Sequence, residues 1–504
     1  LLSCGYFYAT GGGFFMSLIN VSNLTFAYDG SYDNIFEEVS FQIDTAWRLG
    51  FTGRNGRGKT IFLKLLLGQY EYSGTISSSV SFEYFPYEVP DPSLFTCDII
   101  DTIHPDCMQW ELLRELSRLE LDEDMLYRPF ETLSNGERTK VLLAALFLRE
   151  NSFLLIDEPT NHLDLRARTL VGDYLRTKSG YLLVSHDRAF LDRCIDHILS
   201  INKMNIEIQK GNFSTWLENK QRQDEFELAK NEKLKKDIRR LEQAAKRAGA
   251  WSEKVEKSKY GDDLYDKGHI GHMAAKMMKR SKTIEARRQN AMEEKSGLLK
   301  NMETADALKI TPLPFHSSRL LSFSGVSIAY GEKQVCKDIS FKLSRGERVA
   351  VTGRNGAGKS SILKLAAGFD VVYTGVLERP QRLLVSYVAQ DTSFLSGSLD
   401  DYAREQAIDE SLFKTILRKL DFTRVQFEKD MRAYSGGQKK KVLLAASLCR
   451  RAHLYIWDEP LNFIDVFSRM QVEQLLLTCD ASMLFVEHDQ AFTKKIATKQ
   501  ICLP

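Results

Sequence analysis

Long apolar runs are missing from this 504-residue chain. Stretches such as Val141–Leu148 and Phe153–Ile156 fall far short of the ~18 residues that a membrane-crossing helix needs. That excludes an α-helical span within the chain. Paired cysteines are missing too. The eight cysteines are scattered, none at C-x-x-C spacing, so neither a zinc nor an iron–sulfur site is expected. Buried thiols in a reducing cytoplasm are the plain expectation. The chain also lacks a strong excess of one charge, at net +2. Its opening, "LLSCGYFYATGGGFF", has neither the basic start nor the clear cleavage site of a secretion signal. Domain-like sequence begins at Met16, so residues 1–15 are expected to be a non-native or disordered extension.

What is present is a repeat. "GRNGRGKT" at Gly53–Thr60 returns as "GRNGAGKS" at Gly353–Ser360, and "LSNGE" at Leu133–Glu137 as "YSGGQ" at Tyr434–Gln438. "FLLIDEP" around Asp157 and Glu158 returns as "LYIWDEP" around Asp458 and Glu459, and "VSHD" at His186 as "VEHD" at His488. The four offsets are 300, 301, 301 and 302 residues. Four motifs in one order and near-constant register predict a duplicated α/β domain.

Each motif has a chemical rationale. G-x-x-x-x-G-K-[ST] between a strand and a helix is a phosphate-cradling loop, its N–H groups and helix N-terminus turned to the anion. Gly53, Asn55, Gly56 and Gly58, with Gly353, Asn355, Gly356 and Gly358, are the candidate cradles. Lys59 and Lys359 would neutralise the β- and γ-phosphates of ATP, and Thr60 and Ser360 would offer a hydroxyl to Mg²⁺. Four apolar residues ending in Asp-Glu predict a buried strand with two carboxylates at its tip. Asp157 and Asp458 would hold the metal's shell, while Glu158 and Glu459 would polarise the attacking water; helix-capping acids are the bland alternative. His186 and His488, each after a further β-run, could reach the γ-phosphate.

This order of loop, signature, Asp-Glu and histidine resembles the ABC ATPase family over nearly the whole chain. The resemblance implies head-to-tail pairing of two cassettes, with each signature capping the nucleotide on the opposite loop. ATP on Lys59 would be closed by Ser435, Gly436, Gly437 and Gln438. ATP on Lys359 would be closed by Ser134, Asn135, Gly136 and Glu137. Tyr28 and Tyr330 stand where the family stacks an aromatic on adenine, with core packing as the rival. Gln390 in "YVAQD" fits the family's metal- and γ-phosphate-sensing glutamine, but Tyr87 takes that place in the first cassette. In the altered signature, Asn135 could keep the geometry through left-handed backbone angles. Two active sites with unequal rates are expected.

A charged insert joins the cassettes. From Asn219 to Lys300 it carries 22 Lys and Arg against 14 Asp and Glu, a net +8, so the rest of the chain sums to −6. Leu234, Ile238, Leu241, Ala245 and Ala248 follow a coiled-coil seam, and Met277, Ile284, Ala291 and Leu298 step by seven. Helical arms at 213–247 and 272–303 are predicted, each roughly 50 Å long at ~1.5 Å per residue, separated by breakers in "AGAW" and "GDDLYDKGHIG". "TPLPF" marks the far boundary. The domains are thus expected at 16–210, 211–310 and 311–504. The stretch Gly268–Arg288 is strongly basic, with Glu285 its single acid. His269, His272, Lys276, Met277, Met278, Lys279, Arg280 and Lys282 are its candidate RNA contacts, since a basic surface with flexible apolar side chains suits folded RNA. A merely solvated coiled-coil face is the alternative.

Fused cassettes, "DEPTNHLD", "DEPLNFID" and an interdomain hairpin resemble the F subclass of ABC proteins, and "GRNGRGKT" with "EPLN" its Lsa-type antibiotic-resistance group. Only 16 residues follow His488, which also fits that group. The resemblance implies a cytoplasmic, monomeric ATPase whose partners are the 70S ribosome, at the exit-site region of its 23S rRNA, and P-site tRNA. It further implies displacement of lincosamides, pleuromutilins and streptogramin A from the peptidyl-transferase centre. Rivals are a housekeeping translation factor of the same subclass, a DNA-maintenance ATPase and a transporter's ATPase subunit. The phosphate-loop-to-signature spacings, 76 and 77 residues, are short for a cassette that docks on membrane segments.

Overall fold

The computed structural model describes residues 17–28, 34–161, 163–201, 206–257, 267–297, 308–331 and 333–503. The expected extension at 1–15 lies outside them. The chain forms two compact units, one holding both cassettes and one holding the insert.

Each cassette joins a three-stranded antiparallel sheet to a mainly parallel one. In the first, Leu18–Phe26 lies between Phe36–Asp44 and Ser73–Ser77. The larger sheet runs Ser81–Phe85, Ser152–Asp157, Tyr181–Val184, Arg48–Thr52, His197–Ile201 and Ile206–Lys210, the last pair antiparallel. The second cassette repeats this with Val385–Val388, Leu454–Asp458, Met483–Val486, Arg348–Thr352 and Lys499–Cys502. The central strands are continuous apolar runs because both faces are covered. Tyr181–Val184, Leu454–Asp458 and Met483–Val486 are buried at every residue.

This strand order sets the chemistry. The strands ending in Asp-Glu, in the histidine and in the phosphate loop are neighbours, so their carboxyl ends converge where ligands bind in open α/β sheets. The cysteines among the described residues are free thiols, and no helix among those residues is long and apolar enough to cross a membrane.

The insert contains two long helices, Phe213–Lys257 and Lys267–Gly297. The first runs straight through "AGAW", so that segment does not act as the expected breaker. One glycine between alanines costs a helix only about 1 kcal/mol, which 45 residues absorb. The second helix begins within "DKGHIG", five residues before the expected start at His272. The predicted seam is visible where side chains are described: Ile238 is buried, and Leu234, Leu241, Ile284 and Ala291 are half-buried. Ala245, Ala248 and Leu298 lie outside the described side chains. Asn231, seven residues before Ile238, is also buried on this seam.

One strand position in each cassette, in Ser73–Ser77 and in Tyr373–Glu378, tolerates only glycine. Gly74 has φ +105°, and a Cβ there would lie 2.5 Å from the Asn23 carbonyl oxygen; Gly375, at φ +93°, faces Gly325 in the same way. Gly74→Ala should therefore cost about 2 kcal/mol or more, from strain and overpacking together. Gly331→Ala meets open space and should cost about 1 kcal/mol. Chemical denaturation of both variants checks the difference.

Candidate active site

The two phosphate loops end at Gly58 and Gly358, left-handed at φ 92° and 85°. A Cβ at Gly58 would sit 2.7 Å from Ile35 Cγ2, and one at Gly358 2.8 Å from Val335 Cγ1. Each glycine opens a helix, Lys59–Leu66 or Lys359–Ala367, whose first N–H groups receive no side-chain cap. Those donors remain for an anion. Lys59 Nζ donates to the carbonyls of Gly53 (2.6 Å) and Arg54 (3.1 Å), and Lys359 Nζ to those of Gly353 and Arg354 (2.9 Å each). Burial lowers the pKa of both lysines.

The expected metal groups converge. Ser360 Oγ lies 3.1 Å from Asp458 Oδ1 and 3.4 Å from Gln390 Oε1. Thr60 Oγ1 lies 3.4 Å from Asp157 Oδ2. Burial raises both aspartates, Asp458 to about 6, and Asp458 Oδ2 is buried without a partner. A divalent cation would relieve both conditions. All the donors are hard oxygens, as Mg²⁺ prefers. Among the described residues no group of three or more His, Cys, Asp or Glu could hold a metal, so nucleotide and water would supply the remaining ligands.

The sequence motifs did not reveal Tyr84, whose hydroxyl donates to Asp157 Oδ2 at 3.1 Å. Its counterpart Tyr387 has a buried hydroxyl. An aromatic three residues before the sensing position, repeated in "FEYFPY" and "VSYVAQ", was the available signal.

The two glutamates share a strained backbone, with φ 49° at Glu158 and 48° at Glu459, but differ electrostatically. Glu459 accepts from Gln390 Nε2 (2.9 Å) and Asn462 Nδ2 (2.6 Å), and lies 3.2 Å from His488 Nε2. Burial pushes its carboxyl up, but the hydrogen bonds and His488 outweigh this and hold it below the ordinary value. Glu158 lies 3.3 Å from His186 Nε2, yet its Oε1 makes no hydrogen bond. Burial, reinforced by Asp157, pushes it to about 8. Burial, with Lys59 and Arg469 nearby, holds His186 well below the usual imidazole value.

Both signatures begin with reciprocal caps. The Ser134 and Ser435 hydroxyls accept from Glu137 N and Gln438 N at 3.3 Å. The Glu137 and Gln438 side chains accept from the serine N–H groups at 2.8 and 3.0 Å. Glutamate therefore caps as glutamine does. Asn135 is not among the residues with positive φ and simply starts the helix Asn135–Phe147, so the altered signature needs no left-handed angle.

Loop and opposite signature meet as expected. A cavity of about 300 Å³ is lined by Asn55, Gly56, Lys59, Thr60, Asp157, Glu158 and His186, together with Ser435, Gly436, Gly437 and Gln438. A second, of about 660 Å³, is lined by Asn355, Gly356, Gly358, Lys359, Ser360, Gln390, Glu459 and His488, together with Ser134, Asn135, Gly136 and Glu137. Both lie within or just at the size range of ligand pockets. The smaller is stitched by Asn55 Nδ2 to the Phe463 carbonyl at 3.1 Å and by the Arg54–Asp421 pair. Tyr28 and Tyr330 are half-exposed, at 49% and 51%, which disfavours core packing. Their rings line neither cavity. Tyr28 packs edge-on to Phe26 and Tyr70, and the Tyr330 hydroxyl lies 3.1 Å from Ser361 Oγ.

In the insert, His272, Lys276, Met278, Lys279, Arg280 and Lys282 are exposed. The side chains of His269 and Met277 lie outside the described residues.

Comparison with known proteins agrees with this geometry. A family profile described as "ABC transporter" matches residues 36–161 and 336–462. The ribosome protection protein VmlR of Bacillus subtilis (strain 168) is 26% identical over 97% of this chain and 86% of its own length. The ATP-binding protein Uup of Caulobacter vibrioides is 28% identical, covering 93% of this chain and 74% of its own. Among solved structures, archaeal ribosome recycling factor aABCE1 in complex with stalk protein aP1 superposes with a TM-score of 0.59. It does so at 19% identity over 90% of this chain and 82% of that one, a likeness of fold.

The Gln390–Glu459 contact has no glutamine equivalent in the first cassette, where Tyr87 stands. Gln390→Ala should lower ATP turnover about tenfold or more, within the range for a group orienting catalytic proton transfer. Tyr87→Ala should leave it within about twofold. Phosphate release at saturating ATP distinguishes the two.

Proposed function

Because the chain belongs to the ABC transporter family and is an ATPase with two composite sites, we propose that it is a ribosome protection protein of the F subclass. ATP would close the cassettes while the protein occupies the ribosomal exit site beside P-site tRNA. The insert would then displace antibiotics bound at the peptidyl-transferase centre, and hydrolysis would release the protein. The observation that carries this reading is the exposed, one-signed run Lys276, Lys279, Arg280 and Lys282 on the second insert helix. A phosphate backbone is the natural partner for such a surface. VmlR, similar over nearly the full chain, bears the name of that activity.

The residues divide the work. Lys59 and Lys359, with the uncapped helix starts behind them, would bind the phosphates. Ser134 and Ser435 with their neighbours would close on the nucleotide from the other cassette. Mg²⁺, when bound, would neutralise phosphate oxygens, held through Thr60 and Asp157 in one site and through Ser360, Asp458 and Gln390 in the other. Glu459 is already positioned by three neighbours to orient a water. His488 would hold that glutamate toward the γ-phosphate. Glu158 and His186 would act likewise in the smaller site.

Glu158→Gln with Glu459→Gln should preserve ATP binding and block release. That variant should co-sediment with ribosomes when ATP is present; sedimentation free of them would defeat the proposal. Replacing Lys276, Lys279 and Arg280 with alanine should abolish drug protection while basal ATP hydrolysis stays within about twofold. A deletion strain with a growth defect but unchanged drug sensitivity would instead identify a housekeeping translation factor.

A further inference from the structure

The repeat that relates the cassettes is broken on their shared face just after the histidines. After His186 and Asp187 the first cassette carries Arg188; after His488 and Asp489 the second carries Gln490. Arg188 reaches Glu473, whose own counterpart is Gly172. A charged pair thus stands on one side of the repeat, with glutamine and glycine at the equivalent places.

The pair is buried and two-pronged. Arg188 Nη1 donates to Glu473 Oε2 at 3.3 Å and Nη2 donates to Oε1. Nη2 also lies 3.7 Å from Asp489 Oδ2. Side-chain exposure is 12% for Arg188, 1% for Glu473 and 0% for Asp489. Lys495 Nζ, 3.2 Å from Glu473 Oε2, is the second cation on that glutamate. Planar guanidinium matches carboxylate geometry as a lysine does not.

Both ends of the contact lead to a reactive glutamate. Arg188 opens the helix capped by Asp187 and follows His186, which lies 3.3 Å from Glu158. Asp489 caps the helix Gln490–Ile496, accepts from Arg469 at 3.1 Å, and follows His488 on Glu459. Arginine and glutamate belong to different cassettes, so the contact exists only while the cassettes face each other. Opening returns both groups to water.

We propose that Arg188 is a positioning residue that locks the two cassettes together and makes ATP at one composite site raise the affinity of the other. A contact formed only in the shared closed state is felt equally at both sites, and linkage makes that coupling reciprocal. The inference rests on the ATPase activity alone and not on the ribosomal role.

The test is steady-state phosphate release by the full chain against ATP concentration, with melting temperature measured in parallel. The native chain should respond sigmoidally, with a Hill coefficient above about 1.3, below the limit set by two sites. Arg188→Gln, which copies the second cassette, should bring it to about 1 and raise half-saturating ATP about fivefold, at the low end of usual coupling, while kcat changes less than about twofold. Arg188→Lys, which keeps the charge but not the two-pronged geometry, should retain part of the sigmoid. A hyperbolic native response overturns the proposal. So does an Arg188→Gln variant that folds and keeps the native curve, or an Arg188→Lys curve indistinguishable from that of Arg188→Gln.

Discussion

Two helix N-termini aimed at one small volume, one from each cassette, form the constraint on which the rest depends. The phosphate-loop helices start uncapped at Lys59 and Lys359, and the signature helices start at Asn135 and Gly436. Each such end carries about half a positive charge, and a buried lysine adds a full one. A bound triphosphate would offset this positive charge beside the carboxylates already there and so favour closure. Parallel strands buried on both faces supply the rigid base that lets loop, carboxylates and histidine meet that volume from one side.

Closure around an anion need not be symmetrical. In the larger cavity Glu459 is held by Gln390, Asn462 and His488 and stays below the ordinary carboxylate range. In the smaller one Glu158 has no hydrogen bond at Oε1, and burial pushes its carboxyl to about 8. The two glutamates thus sit in different surroundings, one held toward the carboxylate form and the other pushed toward the protonated form by burial. Across the smaller cavity, Asn55 reaches the Phe463 carbonyl and Arg54 pairs with Asp421.

The motifs were legible because their chemistry fixes residue type and spacing together. A phosphate loop requires glycines at left-handed angles, and a strand tip must end in acids. The head-to-tail pairing was legible only through family resemblance, since no residue in a signature states which loop it faces. Tyr84 escaped because a tyrosine in a β-run reads as core until its hydroxyl is seen on Asp157. The helix through "AGAW" escaped because a breaker's penalty is local, whereas helix length is decided by the whole segment. At Asn135 the residue type allows left-handed angles, but the structure does not use them. The reciprocal caps show that the position asks only for a helix start.

The insert poses the opposite problem, a helix that carries charges it would be more stable without. Lys276 and Lys279, Lys276 and Arg280, and Lys279 and Lys282 are like-charged neighbours at helical spacing, all exposed on Lys267–Gly297. Each such pair costs an isolated helix about 0.2–0.5 kcal/mol, so the three together oppose it by roughly 1 kcal/mol, with Glu285 the nearest acid in sequence. Alanine or alternating signs would hold the same helix better. A sequence under selection for the helix alone would not concentrate cations here, while one selected for contact with a polyanion gains far more from phosphate than it loses by repulsion. The charge pattern is therefore better explained by a partner than by the fold, and the net +8 of the insert against −6 elsewhere confines that partner's attraction to one region of the chain.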